Sequence, residues 1–260
     1  MTRTASLVMS FAAAAIATAI PRYARAAEIT VIGPGGIRAS ATALIPGFEK
    51  ASGHTVKATF GSGGGTKARV IKGDPFDVPI VQPPLELVIA SGHVIKDSET
   101  PLAVAPIAVA VRAGAAKPDI STADSVKRML LAAKSITYPN VEGSAAGGAA
   151  GVSINETLAK LGIAEAMKPR TKPAATGFAT ARMVAAGEAE IGLVFLSEMI
   201  HEPGITIVGI LPREISTPTG LVGFVSTHAK EPAAARALLD YLSGPEAAKV
   251  YRDTGMEPGR

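Results

Sequence analysis

Short β-rich runs and helical patterns alternate along most of this 260-residue chain, and this alternation constrains its fold more than any other feature. Residues 28–32 are rich in β-branched side chains and predict a strand, and 37–52 place apolar residues at helical spacing. The order repeats with a strand at 55–60 and a helix at 66–72. Parallel strands need crossover connections, which are usually helices, so the alternation is typical of an α/β fold.

Two segments predict passages between two lobes. The long apolar run 102–111 is broken by Pro106, and 220–225 is a second apolar strand that can return the chain to the first lobe. We therefore predict an α/β fold with two lobes, each a mainly parallel sheet flanked by helices, joined by two hinge crossings. A single open sheet is the alternative, and the sequence alone separates the two poorly. The predicted boundaries are 27–105 plus 218–260 for lobe 1 and 106–217 for lobe 2.

The first 26 residues have the composition of a targeting segment. Arg3 precedes a short uncharged apolar stretch, and an Ala-x-Ala pattern ends at Ala26. This arrangement is typical of a secretory signal peptide cleaved after Ala26, and it predicts a periplasmic protein. A retained membrane anchor is the alternative, which the nearby Arg22 and Arg25 disfavour. No later segment reaches the ~20 apolar residues of a spanning helix, so we expect no membrane insertion of the mature chain.

Removal of this segment would change the net charge of the protein. The whole chain has 26 Lys and Arg and 22 Asp and Glu, which gives +4. Three basic residues and no acidic one lie in 1–26, so 23 − 22 leaves +1 for the mature chain. A nearly neutral protein has no global field that attracts nucleic acid, and a chain without Trp is poor in base-stacking side chains. We therefore expect no nucleic-acid partner.

The sequence offers no cofactor motif. It has no cysteine, which excludes disulfides, Fe–S clusters, thiolate zinc sites and Cys nucleophiles. Its four histidines are scattered, and no HExxH pattern accompanies them, so we predict no metal site. No GxGxxG, Walker A or GxSxG motif follows a predicted strand. We predict a protein that works without a cofactor.

Small residues fill three strand-to-helix junctions, at 33–36, 61–65 and 142–148. Glycine has no Cβ, so its backbone N–H can approach a ligand closely. The helix that follows adds unpaired N–H groups and a partial positive charge. A single loop of this kind is more often an ordinary tight turn. Three at comparable junctions, two in lobe 1 and one in lobe 2, favour a shared anion site between the lobes.

Basic residues directly follow two of these loops. Lys67 comes after Gly63-Gly64-Gly65-Thr66, and Arg38 has the analogous place after Gly35-Gly36. A cation here can face the same ligand as the loop amides, although most surface Lys and Arg side chains are simply solvated. The candidate ligand-binding residues of lobe 1 are Gly35, Gly36, Arg38, Ser62, Gly63, Gly64, Thr66, Lys67 and Arg69.

Five sets of motifs, spread over nearly the whole mature chain, carry a family resemblance. They are Ile29-Thr-Val31, Phe60-Gly-Ser62, Thr66-Lys-Ala-Arg69 with 73–77, Gly187–Gly192 and Pro245–Pro258. Together they resemble the periplasmic solute-binding proteins of the ModA (molybdate-binding) superfamily. The resemblance implies a type II periplasmic-binding-protein fold that closes on an oxyanion and delivers it to an ABC permease. We expect a monomer that binds a small anion.

The chain departs from the molybdate binders at their hydroxyl donors. The family's Ser after the first strand falls on Gly36, its second Ser on Ser62 or Gly63, and its lobe 2 Tyr on Phe195. Each lost donor to a tetrahedral oxyanion would cost ~1–3 kcal/mol. Lys67 also stands where the family commonly has an apolar residue. These departures favour a larger, carboxylate-bearing anion over molybdate.

A second resemblance opens an alternative function. Tyr138-Pro139, 143–147 and Ser197-Glu198 are similar to bacterial aconitate isomerases, which are cofactor-free periplasmic enzymes of the same fold. This resemblance implies trans- to cis-aconitate isomerisation, in which a base moves a proton along an allylic tricarboxylate. It adds Tyr138, Ser144 and Ser197 to the candidate ligand-binding residues. No base is evident, and the candidates are Glu198, Ser144 and Ser62; we favour the binding protein over the enzyme.

Overall fold

The structure is a computed structural model that describes residues 26–139 and 148–259. Its strands are β1 (Glu28–Pro34), β2 (Thr55–Gly61), β3 (Val78–Val81), β4 (Thr100–Ala105), β5 (Ile107–Arg112), β6 (Ile136–Pro139), β7 (Thr171–Ala174), β8 (Ile191–Phe195), β9 (Ile205–Ile210), β10 (Thr219–Gly223) and β11 (Glu257–Pro258). Its helices are α1 (Arg38–Ser52), α2 (Gly63–Lys72), α3 (Glu86–Ala90), α4 (Ala123–Ala132), α5 (Ala149–Lys160), α6 (Ala164–Met167), α7 (Gly177–Ala185), α8 (Leu196–Met199), α9 (Pro232–Leu242) and α10 (Pro245–Asp253), with 3₁₀ turns at Gly35–Ile37, Lys96–Ser98 and Lys168–Arg170.

The strands form two separate sheets, which we call lobe 1 and lobe 2 together with the helices packed on them. Lobe 1 has six strands in the order β11-β4-β10-β3-β1-β2, and lobe 2 has five in the order β7-β6-β8-β5-β9. The two-lobed α/β fold is therefore confirmed. The expectation of mainly parallel sheets is corrected, because both sheets are mixed: β1 is parallel to β2 and β3, and β6 to β7 and β8, while the other pairs are antiparallel.

The antiparallel pairs arise where the chain passes between the lobes. Strand β4 of lobe 1 and strand β5 of lobe 2 are separated by Pro106 alone, which cannot donate a hydrogen bond to a ladder. The return passage runs through 211–218 between β9 and β10. A chain that enters and leaves each sheet this way runs against the strands of the βα units. The exact boundaries of the two lobes stay a prediction.

Local sequence explains the helices that follow the first two strands. Helix α1 buries Ala41, Leu44 and Phe48, which recur at helical spacing. It ends at Gly53, and α2 ends at Gly73, with φ of 75° and 84°. These are left-handed conformations that glycine adopts without steric cost, so both helices end where a glycine permits the reversal.

Among the described residues, buried apolar side chains form two clusters, and the larger one extends through both lobes. It includes Ile29 and Val31 of β1, Leu44 of α1 and Leu193 of β8, all almost fully buried. Within the described ranges, no helix has the length and apolar character that crossing a membrane requires. The predicted signal peptide lies outside the described residues, apart from Ala26.

Candidate ligand-binding site

A cavity of about 160 Å³ lies between the lobes, at the carboxyl ends of their parallel strands. Lobe 1 lines it with residues that follow β1, β2 and β3, and lobe 2 with residues that follow β6, β7 and β8. In open α/β sheets, ligands bind outside the carboxyl ends of the strands, so the topology itself produces this position. The volume resembles that of a ~150 Å³ cavity known to hold benzene, which indicates a small ligand.

Four helices begin at the wall of the cavity, two from each lobe. In lobe 1 the 3₁₀ turn that starts at Gly35 leads into α1, and α2 starts at Gly63. In lobe 2, α5 starts at Ala149 and α7 at Gly177. The first N–H groups of a helix have no partner within it, and they carry the positive end of the helix dipole. The cavity is therefore surrounded by donors and partial positive charge, as an anion requires.

Two side chains cap these helices and leave the first amides free. The Ser62 hydroxyl accepts a hydrogen bond from the Gly65 N–H at 3.2 Å, and the Thr176 hydroxyl accepts one from the Ala179 N–H at 3.1 Å. Capping of this kind satisfies the third amide of a helix. The N–H groups of Gly63, Gly177 and Phe178, which precede the capped amides and line the cavity, can donate to a ligand there.

Arg38 brings a full positive charge to the edge of the cavity and contacts both lobes. Its guanidinium carbon lies 5.7 Å from the ring centroid of Phe60 in lobe 1 and 5.4 Å from that of Phe178 in lobe 2. Its Nη2 also donates to the Phe60 carbonyl at 3.4 Å. Cation–π contacts of this geometry hold the side chain in place without neutralising it. Arg38 can therefore serve as the charged contact of an anion.

Glu198 brings a carboxyl group into the same cavity. It is 9% exposed, and it lies between Gly35 of lobe 1 and Gly177 of lobe 2. A Cβ on Gly35 would stand 2.9 Å from Glu198 Oε1, and one on Gly177 would stand 2.6 Å from the same atom. Burial raises the pKa of Glu198 to about 7, against the opposing effect of the Arg38 charge. The group therefore exchanges its proton near neutral pH.

Gln82 is a further polar residue of the cavity that was not predicted from the sequence. It directly follows β3 and is only 4% exposed, and its side chain lies against Gly63, where a Cβ would overlap Gln82 Oε1. It also lines an adjoining cavity of about 450 Å³ that contains Lys67. A polar residue placed straight after the buried run Val78–Val81 was the signal available in the sequence.

Some of the predicted site residues meet at the cavity and others do not. Ser144 lies outside the residues that the structure describes. Gly64 lines the adjoining cavity instead. The predicted residues that line the cavity are Gly35, Gly36, Arg38, Ser62, Gly63 and Glu198.

Lys67, Arg69 and Thr66 do not line this cavity. The helix begins at Gly63 rather than at Thr66, so Lys67 lies a full turn inside α2, where its Nζ donates to the Pro84 carbonyl at 3.0 Å. Burial lowers the pKa of Lys67, while the nearby carboxylate of Glu86 raises it. The remaining two side chains have structural partners: Arg69 Nε pairs with Asp74 at 2.7 Å, and Thr66 Oγ1 donates to the Gly33 carbonyl at 3.2 Å.

Tyr138 and Ser197, two candidate ligand-binding residues of lobe 2, also lie outside the cavity. The Tyr138 hydroxyl donates to Asn155 Oδ1 at 2.9 Å, beside a different pocket. Ser197 Oγ is buried without a hydrogen-bond partner, and a Cβ on Gly36 would lie 3.8 Å from it. Ser197 therefore lies behind Gly36, while Phe195, where the family resemblance implies a Tyr, does line the cavity. Among the described residues, no three His, Asp or Glu side chains come together as a metal site.

Comparisons with known proteins agree with this architecture. Residues 29–257 match the family model described as bacterial extracellular solute-binding protein. An aconitate isomerase from a Pseudomonas species is 37% identical over 239 residues, which cover 88% of this chain and 87% of that protein. The molybdate-binding protein ModA of Azotobacter vinelandii is 30% identical over 254 residues, covering 96% of each. Both resemblances seen in the motifs are thus confirmed.

Solved structures give the same fold. The periplasmic molybdate-binding protein of Azotobacter vinelandii superposes with a TM-score of 0.73 at 21% identity, over 88% of this chain and 98% of that one. The sulfate-binding protein SubI of Mycobacterium tuberculosis H37Rv gives a TM-score of 0.68 at 19% identity, over 89% and 87%. At these identities the likeness establishes the two-lobed architecture and leaves the ligand open.

Proposed function

The chain belongs to the family of bacterial extracellular solute-binding proteins, and from this premise we propose that it captures a small organic carboxylate between its two lobes. The observation that carries the proposal is the set of four helix N-termini around one cavity, two from each lobe, with Arg38 at its edge. An anion that accepts hydrogen bonds from both pairs would hold the lobes together. Binding would therefore favour the closed arrangement of the protein.

The cavity wall favours a carboxylate over a tetrahedral oxyanion. Phe60, Phe178 and Phe195 contribute phenyl rings, and the hydroxyl of Ser62 is one of only two hydroxyls among the described lining residues. A tetrahedral oxyanion presents acceptors in every direction and leaves none of its surface for a phenyl ring. An organic carboxylate has a planar charged end for the amides and a hydrocarbon part for the rings.

Delivery to an ABC permease in the periplasm completes the proposal. The family is extracellular, and the relatives include molybdate-binding proteins of the ModA type. The predicted signal peptide, with cleavage after Ala26, would export the chain. The two passages between the lobes would let the closed, loaded form present one composite surface to a permease.

A thermal-shift panel on the purified exported protein tests the ligand class. Acetate, succinate, tricarballylate and trans-aconitate would be compared with molybdate, sulfate and phosphate at equal concentrations. A ligand at 100 times its Kd stabilises the folded state by about 2.7 kcal/mol, so a true ligand raises the melting temperature measurably. We expect the largest shift from a carboxylate. If only an inorganic oxyanion raised the melting temperature, the ligand would be an oxyanion rather than a carboxylate. If no anion raised the melting temperature, the proposed binding function would be wrong.

Isomerisation of aconitate is the second candidate function, and Glu198 is the observation that favours it. A carboxylate with a pKa of about 7 in a closed cavity suits a general base at neutral pH. It would take a proton from the methylene carbon of the bound acid, and the proton would return to another carbon of the allylic anion. The 37% identical relative is named an aconitate isomerase.

One assay separates the two functions. Purified protein is mixed with trans-aconitate, and NMR follows the appearance of the cis isomer. Turnover that is lost in Glu198→Gln, with binding retained, would establish the enzyme. Binding without turnover would leave the solute-binding role.

A further inference from the structure

We propose that Glu198 contacts the bound anion as a neutral carboxylic acid, so that the protein takes up one proton with each anion it captures above neutral pH. This inference rests on the proposed capture of an anion in the cavity between the lobes. It goes beyond it by assigning Glu198 as a ligand-binding residue and by coupling capture to a proton.

The position of Glu198 forces it to face a ligand. Helix α8 follows β8 directly, and this short connection places the carboxyl group in the wall of the cavity. Gly35 on one side and Gly177 on the other have no side chains to separate the carboxyl group from the helix N-termini. An anion held by the amides of both lobes must therefore lie beside it.

Few full charges in the described part of the chain surround Glu198 to neutralise its ionised form. Arg38 is the single charged group, among the described residues, that acts on its ionisation, and the two form no close ion pair. Of the other elements packed against α8, helix α7 carries Arg182 in its last turn and β5 carries Arg112; both side chains are exposed to solvent. Strand β8 has no charged residue. If both carboxylates were ionised, Arg38 would be the one full positive charge of the described residues facing two negative charges, beside the partial positive charges of the helix N-termini.

Two carboxylates that share one site do not both ionise readily, and one of them keeps its proton. The proton belongs on Glu198, because burial already raises its pKa to about 7. Once protonated, the acid has an O–H that can donate to the ligand, and hydrogen bonds from O–H to an anionic oxygen are short and strong. Protonation of Glu198 therefore replaces the repulsion between two carboxylates with a hydrogen bond from Glu198 to the ligand.

The inference predicts a specific dependence of affinity on pH. The binding-competent fraction of the protein is the protonated one, and it falls tenfold for each pH unit above the pKa of Glu198. With a pKa of about 7, the Kd at pH 9 is about 100 times that below pH 6. Binding at pH 8 to 9 also takes up close to one proton per anion.

Isothermal titration calorimetry between pH 6.5 and 9 tests this with tricarballylate, a saturated tricarboxylate that has no double bond to isomerise, and with molybdate. Each pH is measured in two buffers of different ionisation enthalpy, which reports the protons taken up. Glu198→Gln keeps a hydrogen-bond donor but cannot titrate, so its Kd should not vary with pH and no proton should be taken up. Glu156→Gln, at an exposed carboxylate of the adjoining cavity, is the matched control and should behave as the wild type.

The outcomes separate the two levels of the argument. No binding of either anion at any pH removes the proposed function. Binding with a Kd that is independent of pH in the wild type removes only the role of Glu198. A pH dependence that survives unchanged in Glu198→Gln also removes it, because another group would then titrate.

Discussion

Arg38 and Phe178 belong to different lobes, yet the guanidinium carbon of Arg38 lies 5.4 Å from the centroid of the Phe178 ring. The contact joins the start of α1 to the start of α7, which are two of the four helix ends around the cavity. A cation from lobe 1 therefore has an aromatic partner from lobe 2 only while the cavity is enclosed. Opening of the lobes would therefore separate Arg38 from the Phe178 ring.

Arg38→Ala should weaken carboxylate binding at least tenfold. The substitution removes the one positive side chain that lines the described part of the cavity, and with it both ring contacts. Lys67→Ala is the matched control, because the Lys67 ammonium donates to the Pro84 carbonyl in the adjoining cavity. We expect its Kd to stay within about twofold of the wild type. Titration calorimetry decides; equal losses in the two variants would mean that the cavity responds to net charge alone.

Ser62→Ala should reduce both stability and ligand affinity. It removes the cap of α2, which costs about 1 kcal/mol in the free energy of unfolding, and it removes a hydroxyl from the cavity wall. Thr122→Ala removes a comparable cap from α4, in which Thr122 and Ser125 form a capping box away from the cavity. It should cost a similar free energy and leave the Kd unchanged. Urea unfolding with ligand titration measures both, and an unchanged Kd in Ser62→Ala would contradict the assigned site.

The ligand-free protein should become less stable as the pH rises from about 5 to 8. Burial raises the pKa of Glu198 from its usual 4.5 to about 7, so between these values the folded state holds a proton that the unfolded state has lost. The free energy of unfolding then falls with pH, by up to about 3 kcal/mol for this shift. Below pH 4.5 both states are protonated and the penalty is absent.

Glu198→Gln isolates this contribution from the other titrating groups. Urea unfolding at pH 5 and pH 8 should give a smaller difference in the variant than in the wild type, because Gln carries no charge at either pH. The same difference in both proteins would mean that the Glu198 carboxyl is hydrated in the free protein.

Tyr251→Phe should destabilise the protein by about 1–2 kcal/mol without affecting ligand binding. Tyr251 is 1% exposed, and its hydroxyl donates to the Leu242 carbonyl at 2.8 Å, which ties α10 to the end of α9. The variant leaves this carbonyl unsatisfied in the core. Tyr241→Phe, at a partly exposed ring packed on Phe48, is the matched control and should cost less than about 0.5 kcal/mol. A larger loss of unfolding free energy in Tyr241→Phe than in Tyr251→Phe would contradict the stabilising role of the Tyr251 hydroxyl.

Periodicity predicted the first strands and helices well, because β1 and α1 follow clear patterns of buried residues and β2 alternates regularly between exposed and partly buried ones. Strand β7 escaped prediction for a physical reason. Thr171–Ala174 contains Lys172 and Pro173, which are poor residues for a central strand, and the strand lies at the edge of its sheet, where both are tolerated. The site at the start of α7 was missed with it, including Phe178.

Among the predicted site residues, Gly35 and Gly63 line the cavity because their backbone lies just after a strand. The position of a glycine at a strand end is set by the backbone alone, so its prediction does not depend on the direction of a side chain. The prediction for Lys67 depended on where its helix begins. Because α2 begins three residues before the predicted start, Lys67 lines the adjoining cavity instead. Gln82 was missed because its place in the cavity depends on packing between the lobes, which no local pattern contains, whereas Glu198 was a candidate through the family resemblance.

The single proline between β4 and β5 limits how the protein can open. One residue spans at most about 3.6 Å, so the facing ends of these two strands stay neighbours in every conformation. Pro106 therefore allows the two lobes to rotate about a hinge, but it does not allow them to separate at that side. Rotation of the lobes about Pro106 would open the cleft most at the edge away from this residue, and the angle between the lobes would set the width of that opening.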